Sequence, residues 1–108
     1  KTFNVPKMHQ ERRRRIHFVE GMLEHSFFIN GRRMVTLSTD FAFRKSDNFY
    51  RSVTYDVPIV KNMEIGWHVE CEEIIRVLKE RYPFTCSRKD LYIDFNTIKL
   101  IDNGKTHS

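Results

Sequence analysis

His68 and Cys71 stand three residues apart, a spacing at which one helical turn brings two N/S side chains to a single metal ion. A structural zinc site needs four such ligands, usually with a second short-spaced pair, and His9, His17, His25 and His107 each stand alone. The histidines therefore read as surface or half-buried side chains, with His25 and His68 beside aromatic residues, and no metal or other cofactor is implied. Catalytic patterns are missing as well. The sequence holds no Gly-rich phosphate loop, no nucleophile elbow, and no carboxylate pair that a helix or strand would bring together in a cleft. Four Gly offer little close backbone approach to a phosphate, and a small α+β core leaves little room for a pocket of enzyme size. These residues predict a noncatalytic binding module.

The side chains best suited to recognition are basic. Residues 1–15 hold six Lys/Arg, including Arg12, Arg13, Arg14 and Arg15, against the single Glu11, and so carry the entire formal net charge of +5. The rest of the chain is neutral, which makes the leader an electrostatic handle for phosphate, anionic lipid or an acidic protein face. A second basic group, Arg32, Arg33, Arg44, Lys45 and Arg51, falls on or beside the first strands, far in sequence from Glu64, Glu70, Glu72 and Glu73. Segregated signs on a neutral body suit a basic sheet edge that meets an acidic protein or accepts its strand by β-addition. The alternative is a nucleic-acid-associated module, with Arg12 to Arg15 on phosphates and Tyr50 or Phe49 as stacking platforms. The aromatic residues share parity with the aliphatic ones, however, which directs them to the core.

The elements that would position these groups are short. Phe27 and Ile29 precede Asn30-Gly31, and Val35, Leu37, Phe41 and Phe43 follow on the same parity, which predicts a hairpin or a plain loop at Asn30-Gly31. A short strand is expected within 16–22. After the polar turn Lys45-Ser46-Asp47-Asn48, residues Phe49, Val53, Tyr55, Val57 and Ile59 share one face and Tyr50, Ser52, Thr54 and Asp56 the other, with Pro58 ending the strand or marking an edge. Residues 69–82 have helical spacing in Cys71, Ile74, Ile75, Leu78 and Tyr82, with opposite-charge pairs Glu72 to Arg76 and Arg76 to Glu80, and Pro83 closing the helix. Beyond the polar loop at 85–89, Leu91, Ile93 and Phe95 alternate on odd positions and Ile98 and Leu100 on even ones, so a bulge or tight turn is expected at Asn96-Thr97. The order predicts an α+β domain, a small mixed sheet crossed by one helix, and a β-grasp (ubiquitin-like) roll is the commonest small fold of that order.

The expected organisation is a flexible basic arm over 1–15, one domain over 16–104 and a polar tail over 105–108, excised from a longer protein because the chain starts at Lys1 and stops in polar residues. No apolar run approaches the ~20 residues of a membrane span and no signal-peptide pattern occurs. Cys71 and Cys86 do not make a disulfide framework, and a soluble intracellular protein, cytoplasmic or nuclear, is expected.

Several strings resemble a Ras-association domain, most similarly those of the Ras-association domain family of scaffolds. They are the arginine-rich approach, Phe28-Ile29-Asn30-Gly31, Ser52-Val53-Thr54, the helix Glu73-Ile74-Ile75-Arg76-Val77-Leu78-Lys79-Glu80-Arg81-Tyr82, and Asp90-Leu91-Tyr92, spanning about residues 25 to 104. The resemblance implies binding of a small GTPase, whose strand would pair antiparallel with residues 49–57. On this sequence the contact would fall to Arg51 and Thr54, with Arg44, Lys45 and Lys79 nearby. Three features depart from that family: a longer connection over 60–68 with Gly66-Trp67, Pro58 in the recognition strand, and no Thr or Ser cap before the helix. A β-grasp domain that serves in self-association or scaffold assembly is compatible with all three. Trp67 itself reads as a lid over the core or as an exposed interface anchor.

Overall fold

The computed structural model describes residues 2–4, 15–17, 21–43, 51–82 and 91–102. Among them run strands β1 (Thr2–Asn4), β2 (Arg15–Ile16), β3 (Phe27–Ile29), β4 (Arg32–Ala42), β5 (Arg51–Pro58), β6 (Val60–Asn62) and β7 (Gly66–Glu70). Helix α1 (Cys71–Arg81) and strand β8 (Tyr92–Ile101) complete this mixed α+β fold.

The larger sheet is organised on β4. Its odd residues Val35, Leu37, Thr39 and Phe41 are buried while Thr36, Ser38 and Asp40 are only partly so, the alternation of a strand with one face in the core. Thr36 pairs with both Asp56 of β5 and Ile101 of β8, so those strands flank β4 on opposite sides. Met34 likewise pairs with Pro58 and with Phe27, which sets β3 end to end with β8 on the flank opposite β5. Tyr55, Leu37 and Leu100 thus form one buried row across three strands. β1 borders the far side of β8, in register from Thr2↔Ile101 to Asn4↔Lys99.

The Asn-Gly hairpin forms as its residues require. Asn30 and Gly31 have φ of 52° and 80°, the left-handed pair that matches the twist of the flanking strands. Phe27 and Ile29, however, do not enter the core: Phe27 is half-buried and Ile29 exposed, because the two-residue turn pairs them with Met34 and Arg32, even residues of β4 that lie on the face opposite the buried Val35 and Leu37.

A second sheet, β2, β7 and β6, occupies the segment read as a long connection. Asn62 Oδ1 accepts from the amides of Glu64 and Ile65 (2.7 and 3.3 Å) and Gly66 has φ 88°, so a short polar turn folds 60–70 into a hairpin. β7 runs straight into α1. The helix consequently starts at Cys71 rather than Val69, since Val69 is committed to the ladder opposite Ile16 and Glu70 keeps extended angles. Cys71, Ile74 and Leu78 bury the helix face against Val53, Tyr55, Val57 and Val69, each large aliphatic contributing about 1.5–3 kcal/mol. On the outer face Arg76 pairs with Glu80 as expected, but its other partner is Glu73, one turn back at i−3, rather than Glu72.

All strand pairs among the described residues are antiparallel, where a small mixed sheet was expected. The physical reason is the second sheet: the chain enters α1 from β7 and not from the large sheet, so β8 does not return by a strand-helix-strand crossover, the connection that makes parallel neighbours. Residues 1–15, expected as a flexible arm, supply β1 and, through Arg15, half of β2, because β8 and β7 offer open edges for them to pair with. The 16–22 strand is shorter than expected: β2 ends at Ile16, and Met22 is buried in a turn.

The phase change in β8 is a bulge within one strand. Its register on β4 jumps from Ser38↔Lys99 to Asp40↔Asp94, and the surplus residues are tied off by hydroxyls. Thr97 Oγ1 donates to the Asp94 carbonyl at 2.7 Å and accepts from the Asp40 amide at 2.8 Å, while the fully buried Thr39 donates to the same carbonyl at 3.2 Å. This lets Ile98 and Leu100 face the core despite the shifted parity. The turn at 45–48, the loop at 85–89, Pro83, Cys86 and the tail lie outside the described residues.

Candidate functional site

Strand β5 pairs with β4 and, among the described residues, with no other strand. Its hydrogen-bond phase shows which backbone groups face outward. The amide of Ile59 donates to the Arg33 carbonyl at 3.0 Å, continuing the β4–β5 register by one pair, so odd residues of β5 bond to β4. Alternation in an antiparallel ladder then turns the N–H and C=O groups of Ser52, Thr54 and Asp56 away from the sheet. Pro58 stands on the same phase, where an N–H would point away from β4 and no ladder bond is lost, the position at which a sheet tolerates proline. The side chains of Ser52, Thr54 and Asp56 are exposed too, and Thr36 Oγ1 donates to Asp56 Oδ1 at 2.6 Å across the solvated face.

Cations border this edge. Arg51 opens β5 exposed, with its guanidinium 4.8 Å from the centroid of Phe43. Phe43 packs edge-on against Phe41 and Tyr82 (5.3 and 5.6 Å), and this aromatic group joins the end of β4 to the end of α1. From the last turn of α1, Arg81 Nη1 donates to the Thr54 carbonyl at 2.7 Å. Of the residues expected at a partner contact, Arg51 and Thr54 therefore lie on one open strand edge. Lys79 is exposed on α1, where with Ile75, Arg76, Glu72 and Glu80 it lines a shallow, open depression of the helix surface. Arg44 and Lys45 lie outside the described residues, as do Arg12, Arg13 and Arg14. Arg15 does not project from an arm: it is held in β2 with Nε 3.6 Å from the Glu70 carboxylate.

Arg81 is the member of this edge that sequence reasoning missed. Its position was visible as a basic residue in the last helical turn, but its role depends on where α1 lies against β5, which no spacing reveals.

His68 and Cys71, the metal candidates, are both buried. His68 is buried with Nε2 2.9 Å from Glu70 Oε2 and Nδ1 3.3 Å from the Gly66 carbonyl, and its ring centroid is 5.5 Å from that of His17. Cys71 is buried on α1, and among the described residues no three His, Cys, Asp or Glu side chains converge as metal ligands. The Tyr55 hydroxyl is buried without a hydrogen-bond partner among the described residues, and burial, with a smaller contribution from Cys71, pushes its pKa well above the ordinary phenol value. No helix among the described residues is long and apolar enough to cross a membrane.

Compared with protein-family models, with curated proteins and with solved structures, the chain matches none.

Proposed function

We propose that the chain is a noncatalytic, intracellular protein-interaction module that receives an extended strand of its partner on the β5 edge. The observation that carries this reading is the row of outward backbone groups at Ser52, Thr54 and Asp56, bordered by Arg51 and Arg81. Main-chain pairing along such an edge supplies affinity, and flanking cations select an acidic partner and its orientation. This reading does not need a β-grasp roll, whose parallel central pair the antiparallel β4–β8 ladder does not supply. Within this reading, the resemblance to Ras-association domains implies a small GTPase as partner, and self-association or scaffold assembly uses the same edge.

The test is capture of purified, GTP-loaded small GTPases of the Ras type, and of a second copy of the chain, by the wild-type protein and by Thr54→Pro and Arg51→Glu variants. Binding lost in Thr54→Pro supports strand addition. Binding that survives both variants overturns it.

The runner-up is nucleic-acid association through Arg12 to Arg15. The Arg15–Glu70 contact already neutralises one of those four charges. Capture of single-stranded oligonucleotide that falls steeply with salt and is indifferent to Thr54→Pro would select this reading.

A further inference from the structure

Phe28 faces Arg33 across the β3–β4 hairpin, and Lys61 faces Trp67 across the β6–β7 hairpin. The Arg33 guanidinium lies over both aromatic rings, 4.7 Å from the centroid of Phe28 and 5.3 Å from that of Trp67, so one side chain joins two hairpins from different sheets. Lys61 Nζ stands 6.0 Å from the same Trp67 ring. Both cations are within reach of a ring quadrupole. Arg33 is held in place: Nη1 donates to Ser26 Oγ at 2.8 Å and its carbonyl accepts from the Ile59 amide at 3.0 Å.

Neither cation has a carboxylate within ion-pairing distance among the described residues, whereas Arg15 and Arg76 both do. Rings over the guanidinium occupy its faces and leave N–H donors along its edge, the geometry that suits a carboxylate in the same plane. Apolar surface accompanies the charge. Phe28 is 60 % exposed, and Met63, in the turn between the Lys61 and Trp67 strands, is 95 % exposed.

We propose that Phe28, Arg33, Lys61 and Trp67 form a docking platform for an acidic segment of a protein partner, with a carboxylate on the guanidinium edge and an apolar side chain against the exposed Phe28 ring. Charge complementarity sets the sign of the occupant, and the exposed neighbours set its class. Met63, which flanks the Lys61–Trp67 hairpin, is aliphatic and offers contact to side chains but neither stacking for a base nor a charge for a phosphate. Arg33 also covers a face of each ring that a base would need for stacking. The platform stands apart from the outward phase of β5 and does not depend on strand addition there.

Trp67 is the only Trp of the chain and reports directly on this surface. The full chain is titrated with a short peptide alternating Glu and Leu, with its Lys-Leu counterpart and with oligothymidylate, reading Trp67 emission at about 0.15 M salt. The Glu-Leu peptide alone is expected to give a saturable shift, weakened about tenfold or more by Arg33→Met, the loss of a charge-assisted hydrogen bond. Lys61→Glu, a change at an exposed residue, is expected to weaken it as well, and Thr54→Pro to leave it intact. The proposal is overturned if the Glu-Leu peptide gives no saturable shift, if Lys61→Glu binds it as tightly as wild type, or if oligothymidylate is the tighter ligand.

Discussion

Arg81 Nη1 donates to the carbonyl oxygen of Thr54 at 2.7 Å, linking the last turn of α1 to the outer edge of β5. An exposed strand edge invites pairing with another chain, and a charged side chain laid on one of its carbonyls blunts it. A partner strand paired through Thr54 must displace Arg81. Under the proposed strand addition, the contact would act both as a protection and as a gate.

Removing that gate is predicted to change association more than stability. Arg81→Met loses one exposed hydrogen bond, about 0.5–1.5 kcal/mol, and should raise either strand-partner affinity or self-association. Urea unfolding at low concentration and light scattering at high concentration measure the two effects. A large fall in stability with unchanged association would show the contact to be a structural tie only.

Proline scanning of β5 should give a strong alternation. Thr54→Pro removes an outward N–H and no bond to β4, and Val53 before it is already extended as a proline requires, so the fold should persist with only a small loss of stability from holding φ of residue 54 at about −65°. Tyr55→Pro removes a ladder bond and a buried side chain and should cost ~3 kcal/mol or more. Equal costs at both positions, read from urea midpoints, would contradict the assigned phase.

Tyr55 should make the fold sensitive to alkali. Its raised pKa keeps the phenol neutral in the folded state while the unfolded chain ionises near pH ~10, so its share of stability is complete below that value and is lost as pH rises above it. Tyr55→Phe removes the buried hydroxyl that has no partner among the described residues and should be neutral or stabilising at pH 7, with a shallower loss between about pH 10 and 11. Urea midpoints of both proteins across that range decide the matter.

The β8 bulge should depend on its hydroxyls. Thr97→Val leaves the Asp40 amide and the Asp94 carbonyl each short of a partner and should cost about 1–3 kcal/mol, and Thr39→Val, which loses its own buried bond to the Asp94 carbonyl, should cost a similar amount. Because the two hydroxyls lie 3.1 Å apart and share the Asp94 carbonyl as acceptor, the double variant is expected to cost less than the sum, as a double-mutant cycle would read.

Gly31→Ala tests the hairpin turn. No atom stands within 4 Å of the added methyl, so its effect is backbone strain alone at φ +80°, about 1–2 kcal/mol. Asn30→Gly should be nearly neutral, since glycine accepts the same left-handed angles.

Local patterns in the residues were enough for the Asn30-Gly31 hairpin, the inward face of β5, the helix through Ile74 and Leu78, and the irregularity near Asn96-Thr97. Each of these depends on neighbours within a few positions: turn dihedrals, a period of two, a period of 3.6, a break in phase. Even the pairing of Phe28 with Arg33 could have been counted from the two-residue turn. Tertiary packing decided what periodicity does not encode. The burial of Val69 in a ladder with Ile16 took that residue out of the helix and created a second sheet, and β8 consequently met β4 antiparallel. The same long-range placement brought Arg81 to Thr54, and Trp67 over Arg33, from segments with no shared local signal. A chain of this size states its elements through short-range sterics and hydrophobic alternation, but the edges and platforms that a partner could use arise only where those elements stack, through contacts between residues far apart in sequence.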